Sequence, residues 1–362
     1  MVAAGSGRKR RGLRGMAFRA GALGLGLAVA LGAAELAVRA AGLAPALKNQ
    51  YGDNVADPIL PFKPRPNSHL TGRNETNEFD YDYRHNRLGL RDVEHATSKP
   101  AGVFRILGLG DSFTYGVGVR FEETYLARLE RMLNERAGDH PRVEIIKGGI
   151  PRFFPQSERL LLEHSGAAFQ PDLIVVGFLP NDVADTHQGI GAIRVDPSGF
   201  LKTREADEIG RLGLALYCHS HLARRLMRDW LARRIREKYS PQWAEINKDN
   251  GFHEPDWQAV EREYATMADI ATSIGARLVI LHIPQMGPWD RTHDYPARRL
   301  GAWAEKHGVG FVSALPAIRR AAATAPPDRP LYYRKDGHCT AKGHAVIAGV
   351  LRDYLEGQGW IP

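Results

Sequence analysis

Two places in the chain hold residue types that together could do chemistry. The apolar run 104–109 passes directly into Gly110-Asp111-Ser112-Phe113-Thr114-Tyr115-Gly116. In an open α/β sheet ligands gather beyond the carboxyl ends of the strands, so a serine one turn after such a strand faces a substrate. Ser112 is the candidate nucleophile. Gly110 and Gly116 permit a tight backbone approach, with Asp111 as a supporting residue. By itself Gly-Asp-Ser also makes ordinary turns. Near the other end stands Asp336-Gly337-His338. A serine hydroxyl is a poor nucleophile unless a base takes its proton and a third group orients that base. His338 and Asp336 are of the right types for those two roles. His344, inside the helix that follows, is a reserve base and reads better as a structural histidine. His338, Cys339 and His344 lack the spacing of a zinc site, so no metal is expected, and serine chemistry of this kind calls for no cofactor.

The elements that must position these residues alternate. Short apolar runs at 104–109, 143–147, 172–178, 277–283 and 310–313 are separated by helical patterns near 123–136, 156–164, 296–307 and 341–356. That alternation predicts an α/β three-layer sandwich with a central parallel sheet. Residues 44–102, rich in Pro, Asn, Asp and Arg, read as a stalk and approach segment. An insertion at about 186–260 carries a turn at Asp196-Pro197-Ser198-Gly199 and a basic helix over 212–239. On that helix Leu222, Leu226, Trp230, Leu231 and Ile235 share one face. The ordinary reading is a core-facing stripe with a solvated charged side; the sharper one is a surface for acidic lipid or an anionic glycan.

With these blocks in place the chain resembles the SGNH (GDSL-type) hydrolases, particularly their membrane-anchored bacterial members. Gly110-Asp111-Ser112 is similar to the nucleophile block, Gly149 to the glycine block, Asn181-Asp182 to the Asn-Asp block, and Asp336 with His338 to the terminal pair. The likeness covers about 103–357, and Asn86-Arg87-Leu88-Gly89-Leu90-Arg91 is similar to the approach that often precedes the first block. The resemblance implies a flavodoxin-like SGNH fold and a serine esterase working through an acyl-enzyme. It implies Ser112, Asp336 and His338 as catalytic, with an oxyanion hole from the amides of Ser112 and Gly149 and the side chain of Asn181. Three departures stand out: one residue instead of two between Asp336 and His338, Lys147 in place of an asparagine, and Leu179-Pro180 before Asn181. The expected substrate is an acyl ester, in first place an O-acetyl group on envelope or secreted glycans. An O-acyltransferase using the same serine and a non-catalytic glycan-binding scaffold are the alternatives.

Charge separates the chain into two parts. The 362 residues carry a formal +8, and eight basic residues between Arg8 and Lys48 face Glu35 alone, so +7 lies in the first 48. An uncharged stretch, 20–34, follows the basic cluster, which is the layout of a membrane segment; a nucleic-acid arm lacks the apolar run. A basic tail over 1–15 and an anchor over 16–43 are expected, with the N-terminus in the cytoplasm and the domain outside. A cleaved signal peptide is the competing reading. Two cysteines, Cys218 and Cys339, exclude a disulfide scaffold.

Overall fold

The computed structural model describes residues 6–44, 53–195, 201–202, 208–246, 254–287, 289, 294–326 and 330–362, less positions 75, 137 and 139. The expected turn at 196–199 lies outside them. In chain order the elements are α1 (Ser6–Ala40), β1 (Asn54–Val55), β2 (Lys63–Pro64), β3 (His69–Arg73), β4 (Asp80–Arg84), β5 (Val103–Gly110), α2 (Ser112–Tyr115), α3 (Tyr125–Asn134), β6 (Arg142–Gly149) and α4 (Pro155–Leu161). There follow β7 (Leu173–Phe178), α5 (Asn181–Gln188), β8 (Arg194–Val195), β9 (Leu201–Lys202), α6 (Gly210–His219), α7 (His221–Ile246), α8 (Glu254–Ser273), β10 (Arg277–His282), α9 (Tyr295–His307), β11 (Gly310–Ser313), α10 (Leu315–Thr324) and α11 (Ala341–Gly357). They form two compact units, one of 1–46 with 209–234, the other of 47–208 with 235–362.

The larger unit is built on five parallel strands in the order β6-β5-β7-β10-β11. Side chains alternate across each strand, so each sheet face needs its own cover. Leu107, Leu109, Ile174, Val176 and Ile280 pack on one side with residues of α4, α8 and α9, such as Leu161, Trp257 and Leu300. Ile106, Ile145, Val175, Val279 and Leu281 pack on the other with α3, α10 and α11, through Leu126, Ile318 and Ile347. This is the expected three-layer sandwich, and each fully buried aliphatic side chain contributes roughly 1.5–3 kcal/mol. The sheet order reverses between β5 and β7, which opens a crevice beyond their carboxyl ends.

The stalk expectation for 44–102 is corrected over its described part. Phe62 and Tyr83 are fully buried. Asp80-Tyr81-Asp82-Tyr83-Arg84 alternates exposed and buried as β4, paired antiparallel with β3. Its tyrosines join Phe79, Tyr115 and Val117 in a third apolar cluster. Extended polar-rich sequence here folds onto the domain because every second residue of β4 is a large aromatic. The smaller unit holds α1, whose segment Gly15–Ala40 is long and apolar enough to cross a membrane; 26 residues at about 1.5 Å each exceed the ~30 Å hydrocarbon core. The helix ends at Ala40, three residues before the expected limit. The basic helix is likewise two helices, broken at Ser220, which caps the second by accepting from the Ala223 amide at 3.0 Å.

Gly110, Gly149 and Gly177 occupy one register row on three adjacent strands. A Cβ at Gly149 would stand 2.4 Å from the Tyr115 amide nitrogen, and one at Gly110 or Gly177 would strike the Thr114 hydroxyl. A backbone atom cannot yield as a side-chain tip can, so Gly149→Ala is expected to destabilise by about 1–3 kcal/mol in a urea titration. Gly349, on α11 with open space around it, supplies the contrast: Gly349→Ala is expected to stabilise by about 0.5–1 kcal/mol in the same measurement.

Candidate active site

The glycine row lets α2 sit directly on the strand ends. Asp111 caps α2, its carboxylate accepting from the Phe113 amide at 2.8 Å, and Gly116 closes the turn at φ +81°. Ser112, the first residue of α2, is thereby held at the mouth of the crevice.

His338 reaches it from the loop before α11. Its Nε2 lies 2.8 Å from Ser112 Oγ, and its Nδ1 lies 2.5 Å from Asp336 Oδ1. The single-residue spacing between Asp336 and His338 works because Gly337 adopts φ +89°. The Gly337 amide bonds the Tyr333 carbonyl and the Tyr333 amide bonds the His338 carbonyl, both at 2.9 Å, so a tight turn folds the carboxylate back onto the ring. Phe113 packs against that ring with centroids 4.9 Å apart. Asn181 opens α5 after β7, on the other side of the crevice. Its Oδ1 accepts from Gln285 at 2.7 Å and its Nδ2 donates to Asp185 at 3.0 Å, fixing the amide's orientation.

The profile of the GDSL-like lipase/acylhydrolase family matches residues 109–346. The chain belongs to this family. Among solved structures the hydrolase is similar to TesA, at 15% identity over 70% of this chain and 98% of that one with a TM-score of 0.42. It is also similar to a catalytic mutant of Axe2, an acetylxylan esterase from Geobacillus stearothermophilus, at 14% over 72% and 96% with a TM-score of 0.41. A third is a member of the lipolytic protein G-D-S-L family from Veillonella parvula, at 12% over 70% and 98% with a TM-score of 0.41. A search of curated proteins returns no match.

Several residues of the hydrolase have roles that their sequence positions did not announce. Lys147, which stands where the family has an asparagine, is a buried strut: its Nζ lies 2.7 Å from Glu130 and 3.4 Å from Asp92. Arg91, in the approach block, is buried and donates to the carbonyls of Tyr115, Gly116 and Val119, so it fastens the end of the Ser112 turn. His344 does not reach toward Ser112 as His338 does. It is buried, its Nδ1 accepts from the Tyr125 amide at 3.2 Å, and burial pushes its pKa down to about 3.

Three carboxyls near Ser112 are buried, Asp111, Glu158 and Asp182. Burial pushes Asp111 up to about 6 and holds Glu158 and Asp182 well above the carboxylate range; the charge of Asp111 adds to the shift of both, and that of Glu158 to the shift of Asp182. Neither carboxyl oxygen of Glu158 is hydrogen-bonded among the described residues. A neutral acid is the form such surroundings favour.

Glu78 and Asn74, on the connection between β3 and β4, were missed by sequence reasoning. The Glu78 carboxylate accepts from the amides of Lys335 at 3.1 Å and Asp336 at 2.8 Å, and from Thr76 at 2.8 Å. Asn74 Nδ2 lies 3.4 Å from Asp336 Oδ2. Burial works to raise the Glu78 pKa, but the hydrogen bonds from Thr76 and the loop amides outweigh it and lower it. No motif marks either residue, and Glu78 lies 258 positions from its partner Asp336. Hydrogen bonds to a charged acceptor contribute roughly 1.5–3 kcal/mol, so Glu78→Ala is expected to speed amide exchange at Lys335 and Asp336 by about tenfold or more. Unchanged exchange would show that the loop holds itself.

Proposed function

We propose that the hydrolase cleaves acyl esters through a covalent acyl-enzyme in which Ser112, His338 and Asp336 are the catalytic residues. The unbroken hydrogen-bonded line from Asp336 through His338 to Ser112 carries this reading. Ser112 Oγ attacks the acyl carbon as His338 Nε2 takes its proton. Asp336 keeps the opposite ring nitrogen protonated and stabilises the imidazolium. Negative charge on the former carbonyl oxygen is met by the amides of Ser112 and Gly149 and the side-chain amide of Asn181. Gly149 suits that role because it abuts the Ser112 turn. Asn181 suits it because Gln285 and Asp185 fix its amide. Collapse expels the alcohol, which receives the proton from His338. Water, activated by the same nitrogen, then releases the acid and frees Ser112.

The substrate class follows from where the enzyme would be held. A retained α1, whose first turns carry the basic residues Arg8 to Arg14 ahead of the apolar span, supports a cytoplasmic N-terminus and a catalytic unit outside. There the acyl esters at hand are O-acyl groups on envelope or secreted glycans, and an O-acetyl group is the favoured substrate.

Fluorophosphonate should label the wild type and not Ser112→Ala, whose turnover of p-nitrophenyl acetate should fall by about 10⁴–10⁶-fold. Asp336→Asn should cost on the order of 10⁴-fold in kcat, and Asn181→Ala about 10²–10³-fold. Labelling that persists in Ser112→Ala would overturn the nucleophile, and acetyl transfer to added oligosaccharide in preference to water would replace hydrolysis by transfer. A reporter active only outside the cytoplasm, fused after Leu43, should be active; an inactive fusion contradicts the orientation.

A further inference from the structure

A carboxylate inside an apolar span is costly unless it is paired. Glu35, the one acid of α1, is paired by the start of a different helix. Its carboxylate accepts from Ser220 Oγ at 2.8 Å, from the His221 amide at 2.9 Å and from the Leu222 amide at 2.8 Å. Arg39 completes the set, donating to Glu35 at 2.5 Å and to the His219 carbonyl at 2.7 Å. Two residues beyond the helix take part as well. His221 Nδ1 lies 3.0 Å from the Leu43 carbonyl, and Arg224, itself buried, donates to the Ala44 carbonyl at 2.9 Å. The corner between α6 and α7 is thus bonded to the last turn of α1 and to the chain just after it.

This bonding fixes the level of the corner. On the reading that α1 crosses the bilayer, Glu35 to Ala44 mark its outer exit, and α6 and α7 meet at that same depth. What they leave uncovered fits such a place. Leu212 and Leu216 of α6 are 76% and 48% exposed, and Leu226 and Trp230 of α7 are 70% and 44% exposed. Each pair is four residues apart and so lies on one helix face. Their opposite faces are used up: Leu214, Tyr217, Arg224 and Leu231 are buried. Arg225, Arg233 and Arg234 are exposed on α7, and Arg234 stands over the Trp230 ring at 5.6 Å. Tryptophan beside arginine at a membrane exit matches the headgroup level of a bilayer, where an apolar body and a charged tip are both satisfied.

We propose that α6 and the first half of α7 lie in the outer interface of the membrane that α1 crosses, with Leu212, Leu216, Leu226 and Trp230 among the upper acyl chains and the α7 arginines on anionic headgroups. The proposal rests on the reading of α1 as a span. Glu35 then staples the interfacial helix to the transmembrane one through the N-terminal amides of α7, an arrangement favoured by the helix dipole.

The test uses the full chain in vesicles of phosphatidylcholine with or without phosphatidylglycerol. Nitroxides are placed one at a time at Phe18→Cys and Leu226→Cys in a Cys218→Ser background, and collisions with oxygen and with a water-soluble nickel complex are compared. Both labels are expected to be oxygen-rich and nickel-poor. In vesicles containing phosphatidylglycerol the Leu226 label should lose part of that character in Arg233→Gln/Arg234→Gln, a change that should be largely absent without phosphatidylglycerol; each arginine near an anionic surface favours the bound state roughly fivefold. A lipid-like Phe18 label with a nickel-accessible Leu226 label overturns the proposal and leaves the anchor standing. Nickel access at both positions overturns the anchor itself and the proposal with it. Spin–spin broadening at Leu226 with neither collision partner reaching it would show that a second copy of the chain covers the face, which also overturns it.

Discussion

A four-residue helix carrying Ser112 must touch the sheet, and any side chain at the strand ends would hold it away. The row Gly110, Gly149 and Gly177 removes that obstacle at one level of three neighbouring strands. Thr114 then sits where their side chains would have been, close enough that each added Cβ would collide with it or its neighbours. Everything else in the site is measured from this contact. The height of α2 above the sheet sets the position of Ser112 Oγ, and that position sets where His338 must come from. A loop before α11 supplies His338, and a left-handed glycine supplies the tightness that a spacing of one residue requires. The departure from the usual two-residue spacing is thus absorbed by backbone conformation, with no loss of contact between Asp336 and His338.

The same construction carries an electrostatic cost. Lowering α2 onto the sheet buries Asp111, and behind it Glu158 and Asp182 are sealed from water in one cluster. Their pKa values are raised, so above the ordinary carboxylate range the folded protein retains protons that the unfolded chain would release. By linkage this works against stability as the pH rises from about 4 toward the folded-state values. The apolar layers on either side of the sheet offset that cost. Perturbed acids of this kind cluster at functional sites, where the chain accepts local strain or charge to hold a reactive group in place. Here the cap made by Asp111 on the Phe113 amide is the gain that the burial accompanies.

How much of this was legible in the sequence follows from the range of each interaction. The strands and helices of the sandwich could be read because continuous apolar runs and period-3.6 patterns are local, and the Ser112 and Asp336-His338 blocks could be read because each lies within a few residues of its element. Glu78 could not, since its partners are the amides of a loop near the far end of the chain and amides leave no mark on sequence. The misreading of 44–102 as a stalk had a different origin. The alternation Asp80-Tyr81-Asp82-Tyr83-Arg84 is a strand pattern in plain view, but the surrounding prolines and asparagines outweighed it. The break at Ser220 was also available, as a serine standing at the head of a helical run. The purpose of Glu35 was not, because only the folded chain brings α7 to it.

Long-range ties join the segment before β5 to both loops of the candidate site. Arg91 binds the end of the Ser112 turn and Glu78 binds the loop that carries Asp336, and both come from the segment between β1 and β5. The Ser112 turn and the loop that carries Asp336 and His338 are therefore held by the same stretch of N-terminal chain, each through hydrogen bonds to main-chain atoms. Main-chain partners of this sort fix the path of a loop without constraining which side chains it presents. The Ser112 turn and the Asp336 loop can thus be kept at a set separation while the crevice walls remain free to vary. A segment that first reads as a tether is, on this view, the clamp that holds two separate loops against each other.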